Sequence, residues 1–289
     1  MDRNVSLFRL TMTEKYGRTM AEDYYFTAPY KIGLPRTEGE GQKVVIMMAS
    51  AGLLKGDRAE CRILCGEDTQ TELTDQSYTK VFDTGDGEAS RNTEITVGDR
   101  GVLDYHPCPV IPYANSTFCG HTQIDLKETS TLYFTEIMTA GRIAMGEKFT
   151  FRRFENRVQI HVEGRPVYLE LNKMIPEKQQ MEDFFYFDGW THQGTFYYYS
   201  PQMASVQVLK AAADSVIRQY LDEIKMPETS IFYGITEARK GMAWKILACR
   251  AQDIEEIFTR VKNYLKNQQN GFFMAKERPV NWKKVDALW

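Results

Sequence analysis

Two carboxylates and a guanidinium lie close together in Glu136-Ile-Met-Thr-Ala-Gly-Arg-Ile-Ala-Met-Gly-Glu147. A carboxylic acid beside an anion clamp could act as a general acid. The same groups could instead form an ion pair that pins a turn, or line a polar passage, and the turn-pinning pair is the plainer reading. His106-Pro-Cys108 offers two soft side chains suited to nickel or zinc. One such pair does not complete a site, and a loop residue beside a buried thiol is the plainer reading. Cys61 and Cys65 stand four apart in an alternating segment. On a strand that spacing separates them by roughly 13 Å, so they read as small core residues rather than joint ligands. No phosphate loop, dinucleotide fingerprint or nucleophile elbow is present, and the four histidines form no paired helical metal motif.

The elements that must position these residues are mostly strands. Val44–Met48, Ala59–Cys65, Arg91–Val97, Thr117–Leu126 and Ser130–Thr139 are short, β-branched or aromatic, and bounded by turns. Glu163-Gly-Arg-Pro166 joins Val158–Val162 to Val167–Leu171 as a hairpin. An irregular repeat runs through this region. Ile63 to Leu73, Ile95 to Leu103 and Ile124 to Leu132 each read as strand, tight polar turn, strand. A period near 30 residues suggests stacked β-units that share a core, with a sandwich as the alternative.

Two helices follow. Ser200-Pro201 marks a start, and Val206, Leu209, Ala213, Val216, Ile217, Tyr220 and Ile224 recur at helical spacing. A second helix is expected from Asp253, with Glu256 completing a capping box and Asn270-Gly271 as its stop. Ile231–Ile235 and Met242–Cys249 read as strands between them. The expected fold is mainly β, with irregular stacked units, solenoid-like or sandwich-like. Residues 1–198 form a β-rich body and 199–289 an α+β part packed on it. The aromatic runs Phe184–Trp190 and Phe196–Tyr199 lack interleaved Arg and Lys, so core and protein interface suit them better than base stacking.

The net charge is -3, which disfavours a non-specific nucleic-acid binder. Met1–Leu10 carries Asp2, Arg3 and Arg9 and does not read as a secretion signal. No run approaches the roughly 18 apolar residues of a membrane helix. The five cysteines are an odd number. The expectation is a soluble cytoplasmic protein with reduced thiols.

Five segments, in order, resemble one family. They are Ala51-Gly-Leu-Leu-Lys-Gly-Asp57, Tyr78-Thr-Lys-Val81, Asp104-Tyr-His-Pro-Cys-Pro-Val-Ile-Pro-Tyr113, Glu136 to Glu147 with Phe149, and Lys245-Ile-Leu-Ala-Cys-Arg250. Together they are similar to the urease accessory proteins UreD (UreH). The resemblance implies a non-enzymatic scaffold that binds UreF, recruits the GTPase UreG, and docks on apo-urease. A dimer of heterodimers with UreF is the assembly it suggests. It implies no tightly bound cofactor, only nickel in transit through a polar channel. Glu136, Gly141, Arg142 and Glu147 match one family stretch, Lys80 another, and Gly52, Gly56 and Asp57 a third. A passing cation needs exchangeable oxygen ligands, and Glu136, Asp75 and Glu147 are the candidates. His106 and Cys108 depart from the family pattern, which weakens them as ligands. Phe82-Asp83 departs too, from a more usual Tyr-Arg. Two other readings stay open: a β-solenoid carbohydrate enzyme using Glu136, Glu147 and Asp104, and a metal-free adaptor.

Overall fold

The computed structural model describes residues 4–184 and 186–276. The elements run in the order β1 (Val5–Lys15), β2 (Arg18–Phe26), β3 (Tyr30–Ile32), β4 (Arg36–Glu38), β5 (Gly41–Met48), β6 (Arg58–Cys65), β7 (Gln70–Asp75), β8 (Thr79–Val81) and β9 (Ala89–Val97). They continue with β10 (Val102–His106), β11 (Val110–Pro112), β12 (Thr117–Leu126), β13 (Thr131–Thr139), β14 (Arg153–Val162), β15 (Arg165–Met174) and β16 (His192–Tyr199). After α1 (Val206–Glu223) come β17 (Ile231–Glu237), β18 (Met242–Ala248) and α2 (Ala251–Lys276).

The strands form two facing sheets. One has the order β15-β14-β12-β9-β6-β1-β2, the other β17-β18-β16-β13-β10-β7-β5-β3 with β4, β8 and β11 at its margin. The chain alternates between them, so β6, β9, β12 and β14 stack in parallel in the first sheet and β5, β7, β10 and β13 in the second. This is the expected solenoid-like stack. Ile63 pairs Ile95, which pairs Ile124, which pairs Ile160, and all four are buried. Each coil covers its apolar face only against the next. The tight corners stack as well. Gly98 N–H donates to the Cys65 carbonyl, and Val102 N–H to the Thr69 carbonyl.

The alternation of side chains fills two cores. Leu132, Phe134 and Met138 of β13 join the core between the sheets, while Tyr133 and Ile137 point to the other face of the second sheet. There α1 and α2 cover them with Leu209, Ile217, Ile254 and Phe258. The second sheet runs on without a break through β16, β18 and β17.

Several sequence expectations shift. The hairpin turn is tighter, with Glu163 and Gly164 at φ 48° and 69° and Arg165-Pro166 already in β15. α1 starts at Val206, because Ser200-Pro201 is spent on the turn that closes β16. α2 starts at Ala251. Asp253 does not cap it, since Arg250 and Tyr220 take its carboxylate. Gly271 does not stop α2, which reaches Lys276.

Candidate functional site

Strand period makes the site. In β7, Asp75 is in phase with the buried Thr71 and Leu73. In β9, Arg91 is in phase with Thr93, Ile95 and Val97. Glu136 shares the inward face of β13 with Phe134 and Met138. Asn156 follows Phe154 and precedes Val158 on the inward face of β14, and Lys245 lies between Ala243 and Leu247 on β18. Period two therefore turns a set of polar side chains into the space between the sheets. Such groups persist in a core only when they find partners or ligands.

Their contacts are specific. Asn156 Nδ2 donates to both Glu136 carboxylate oxygens at 3.0 and 2.9 Å, joining one sheet to the other. Thr195 is opposite Glu136 on one side and Lys245 on the other. Lys245 Nζ donates to Thr195 Oγ1 at 2.8 Å and pairs with Glu170, which is buried and also accepts from Asn172. Arg91 Nη1 lies 3.6 Å from Asp75 Oδ2 and 3.2 Å from Thr79 Oγ1. The side chains of Arg91 and Asp75 are only 15% and 18% exposed, and Asp75 Oδ2 has no hydrogen-bond donor. Burial raises the carboxyl pKa of Asp75, partly offset by Arg91. Burial also raises that of Glu136, against the pull of Lys245, Asn156 and Arg91. Both carboxyls therefore hold protons more tightly than free ones, each against the pull of nearby positive charge.

Three spaces lie in a row along this line, neighbours sharing lining residues. A cavity of about 140 Å³ lies under Ala51, Gly52, Leu53 and Lys80 and is lined by Tyr30, Cys61, Asp75, Arg91 and Tyr105. Arg91 also borders a smaller one of about 20 Å³, enough for a water, with Cys108, Glu136, Asn156, Asn172 and Gln193. Asn172 and Gln193 in turn border an open groove of about 430 Å³ between the edge strands β15 and β17, beside Met174, Met181, Phe187, Phe232 and Lys245. Asp75, Arg91, Glu136, Asn156 and Lys245 thus line a row of spaces between the two sheets.

The remaining sequence candidates separate into other places. Arg142 and Glu147 form a bidentate pair in the loop after β13, with the guanidinium 4.3 Å above the Tyr113 ring. That pair pins a turn and does not meet Glu136. Gly141, at φ 134°, lets the same loop approach, since a Cβ there would lie 2.8 Å from the Glu147 carbonyl. Gly52 has the same role at the first cavity, where a Cβ would lie 2.5 Å from the Lys80 carbonyl. Asp57 accepts from Leu54 N–H and closes the turn that holds Gly56, while Lys80 is exposed at the cavity rim.

His106 and Cys108 point to different sides. His106 stands beneath α2 with Asp104, Glu72 and Lys262. Cys108 faces the inner cavity, its Sγ donating to the Asp75 carbonyl at 3.3 Å and its thiol pKa pushed up to about 12 by burial. Glu136, Glu147 and Asp104 are likewise in three separate environments, so the acid set of a carbohydrate enzyme is not assembled. Among the described residues, no three His, Cys, Asp or Glu side chains are grouped to hold a metal ion. Among them, too, no helix is long and apolar enough to cross a membrane.

Arg91, Asn156, Glu170, Asn172, Thr195 and Lys245 were missed as site residues. For Arg91 the signal is present: an arginine in phase with Thr93, Ile95 and Val97 must face inward.

A family model described as UreD urease accessory protein matches residues 6–278. A urease accessory protein UreD of Acetivibrio thermocellus is 31% identical over 252 residues, covering 86% of this chain and 92% of the relative. A urease accessory protein UreH of Helicobacter hepaticus is 37% identical over 176 residues, 61% of this chain and 70% of the relative. A UreD of Actinobacillus pleuropneumoniae is 27% identical over 266 residues, 90% and 96%. These matches support a role in urease maturation, and the chain belongs to the UreD urease accessory protein family.

Proposed function

We propose that this protein is a non-catalytic cytoplasmic scaffold that passes nickel towards apo-urease through the polar space between its two sheets. UreF-like and UreG-like proteins are its partners, in a dimer of heterodimers with the UreF-like chain. The observation that carries this reading is the row of neighbouring cavities lined by Asp75, Arg91, Glu136 and Lys245, from the Gly52 loop to the β15–β17 groove. Hard or borderline cations move along oxygen ligands that bind weakly and release. Asp75 and Glu136 supply such oxygens.

The test is to replace Glu136→Gln and Asp75→Asn in cells that make urease and its accessory proteins. Urease activity at limiting nickel is expected to fall several-fold, with complex formation unchanged and partial recovery at high nickel. Normal activation at limiting nickel in both variants, with complexes intact, would leave a metal-free adaptor as the better description.

A further inference from the structure

Arg91 is an odd resident for a route that carries cations. Arg91 lines both inner cavities, which places its charge between Asp75 in the first and Glu136 in the second. An arginine stays protonated in proteins, so this charge is permanent. Its hold on Asp75 is loose. The 3.6 Å separation is longer than a hydrogen bond, and Asp75 Oδ2 is left without a donor. The nearer anchor is neutral Thr79. Burial alone would disfavour the charged arginine, and Tyr105, Asp75, Tyr30 and Glu136 outweigh it, so the charge acts on both carboxylates. A buried arginine that was purely structural would be expected to engage its carboxylate in a two-pronged pair. This one stands between two acids and grips neither with that geometry.

We infer that Arg91 is the resident counter-cation of the passage, competing with a divalent metal ion for Asp75 and Glu136 and so keeping each stop exchangeable. Without cargo, it balances the buried carboxylates. A dication that takes Asp75 displaces the guanidinium from it. Its return helps to expel the ion. A conduit needs stops strong enough to admit an ion and weak enough to release it, and a permanent positive charge beside the ligands weakens them. This rests on the passage reading and names the residue that sets its affinity.

The experiment measures Ni²⁺ binding by equilibrium dialysis, and release to a chelator by stopped flow, on the full-length chain in its complex. Arg91→Gln and Arg91→Met are expected to bind nickel at least about tenfold more tightly and to release it correspondingly slowly. Arg91→Lys, which keeps the charge but not the fork, is expected to fall between them and the wild type. In the double variant Arg91→Gln/Asp75→Asn most of the gain is expected to vanish. Circular dichroism reports which variants fold. If those that fold, Arg91→Lys included, bind no more tightly than wild type, the assignment is overturned. The two readings fail separately. Impaired activation in Glu136→Gln without tighter binding in Arg91→Gln removes only the role of Arg91. Tighter binding in Arg91→Gln with normal activation in Glu136→Gln removes only the passage.

Discussion

Asp104 shows how differently two buried carboxylates can behave in one sheet. Asp75 faces the space between the sheets, where it meets a loosely placed arginine and the backbone N–H of Cys108. Asp104 faces α2 and is 3% exposed, yet Lys262 and Lys266 reach it at 2.9 and 2.7 Å and His106 lies at 3.2 Å. Burial alone would raise its pKa, but the His106 hydrogen bond and the two lysine charges outweigh it and hold the carboxyl well below the usual range. A lowered folded-state pKa gives stability that is present above the unfolded value, near 4, and lost as pH falls through the folded one. Asp104→Asn is therefore expected to cost about 3 kcal/mol at neutral pH, as for one partner removed from a buried pair. The gap from wild type should shrink as pH drops below about 4, and urea denaturation at several pH values measures it. A gap independent of pH would show that Asp104 acts by packing alone. His106 was legible as a residue that binds something, but not as part of this network. Lys262 and Lys266 lie far along the chain, and no local pattern announces the meeting.

Elements were legible where a periodic face meets a single core. The stacked isoleucines of β6, β9 and β12 repeat because each coil repeats the same burial. β2 was missed because it is an edge strand with most residues exposed, so its sequence carries no inward stripe. β13 did not make legible which way Glu136 faces, for the opposite reason. Both of its faces are buried, so polar and apolar positions do not alternate. α2 runs past its expected stop at Asn270-Gly271, where a single glycine costs a helix only about 1 kcal/mol. The helix lies close to the sheet at Gly194 of β16, where a Cβ would lie 2.4 Å from Ile254 Cγ2 and 3.0 Å from Phe258. Gly194→Ala is expected to destabilise the protein by about 1–3 kcal/mol through forced separation of α2 from the sheet. Urea denaturation measures this, and an unchanged midpoint would mean that the helix shifts at no cost.

At the scale of the molecule, apolar exposure concentrates where the two sheets end. Leu171 of β15, Phe232 of β17 and Tyr186 border the same groove, and Phe184, close to Tyr186 in sequence, is exposed as well. Phe232 is 65% and Phe184 73% exposed. The aromatic run thus divides as its composition suggested, with Phe187 and Phe196–Tyr199 in the core and Phe184 and Tyr186 outside, while Phe185 lies outside the described residues. On α1, Val208 is exposed as well. Exposed apolar groups of this kind favour association. The double variant Phe184→Ser/Phe232→Ser is expected to lower the aggregated fraction of the isolated chain, read by light scattering, with little change in melting temperature. An unchanged aggregate would place the sticky surface elsewhere, with Tyr24, Tyr25 and Phe26 of β2 next in line.

The parallel stack also has a consequence in time. Asp75, Arg91, Glu136 and Asn156 come from successive turns of the coil, and Lys245 from a strand added much later in the chain. Parallel neighbours must wait for a full crossover before they can pair, which makes such folds slow to form. During synthesis the wall of the passage therefore stays open until β18 has emerged and paired with β16. A ribosome-bound chain ending before β18 would present Glu136 and Glu170 without Lys245, an acidic cleft in place of a balanced conduit. On the proposed passage reading, the last strands of the sheet therefore set the moment at which its polar lining is complete.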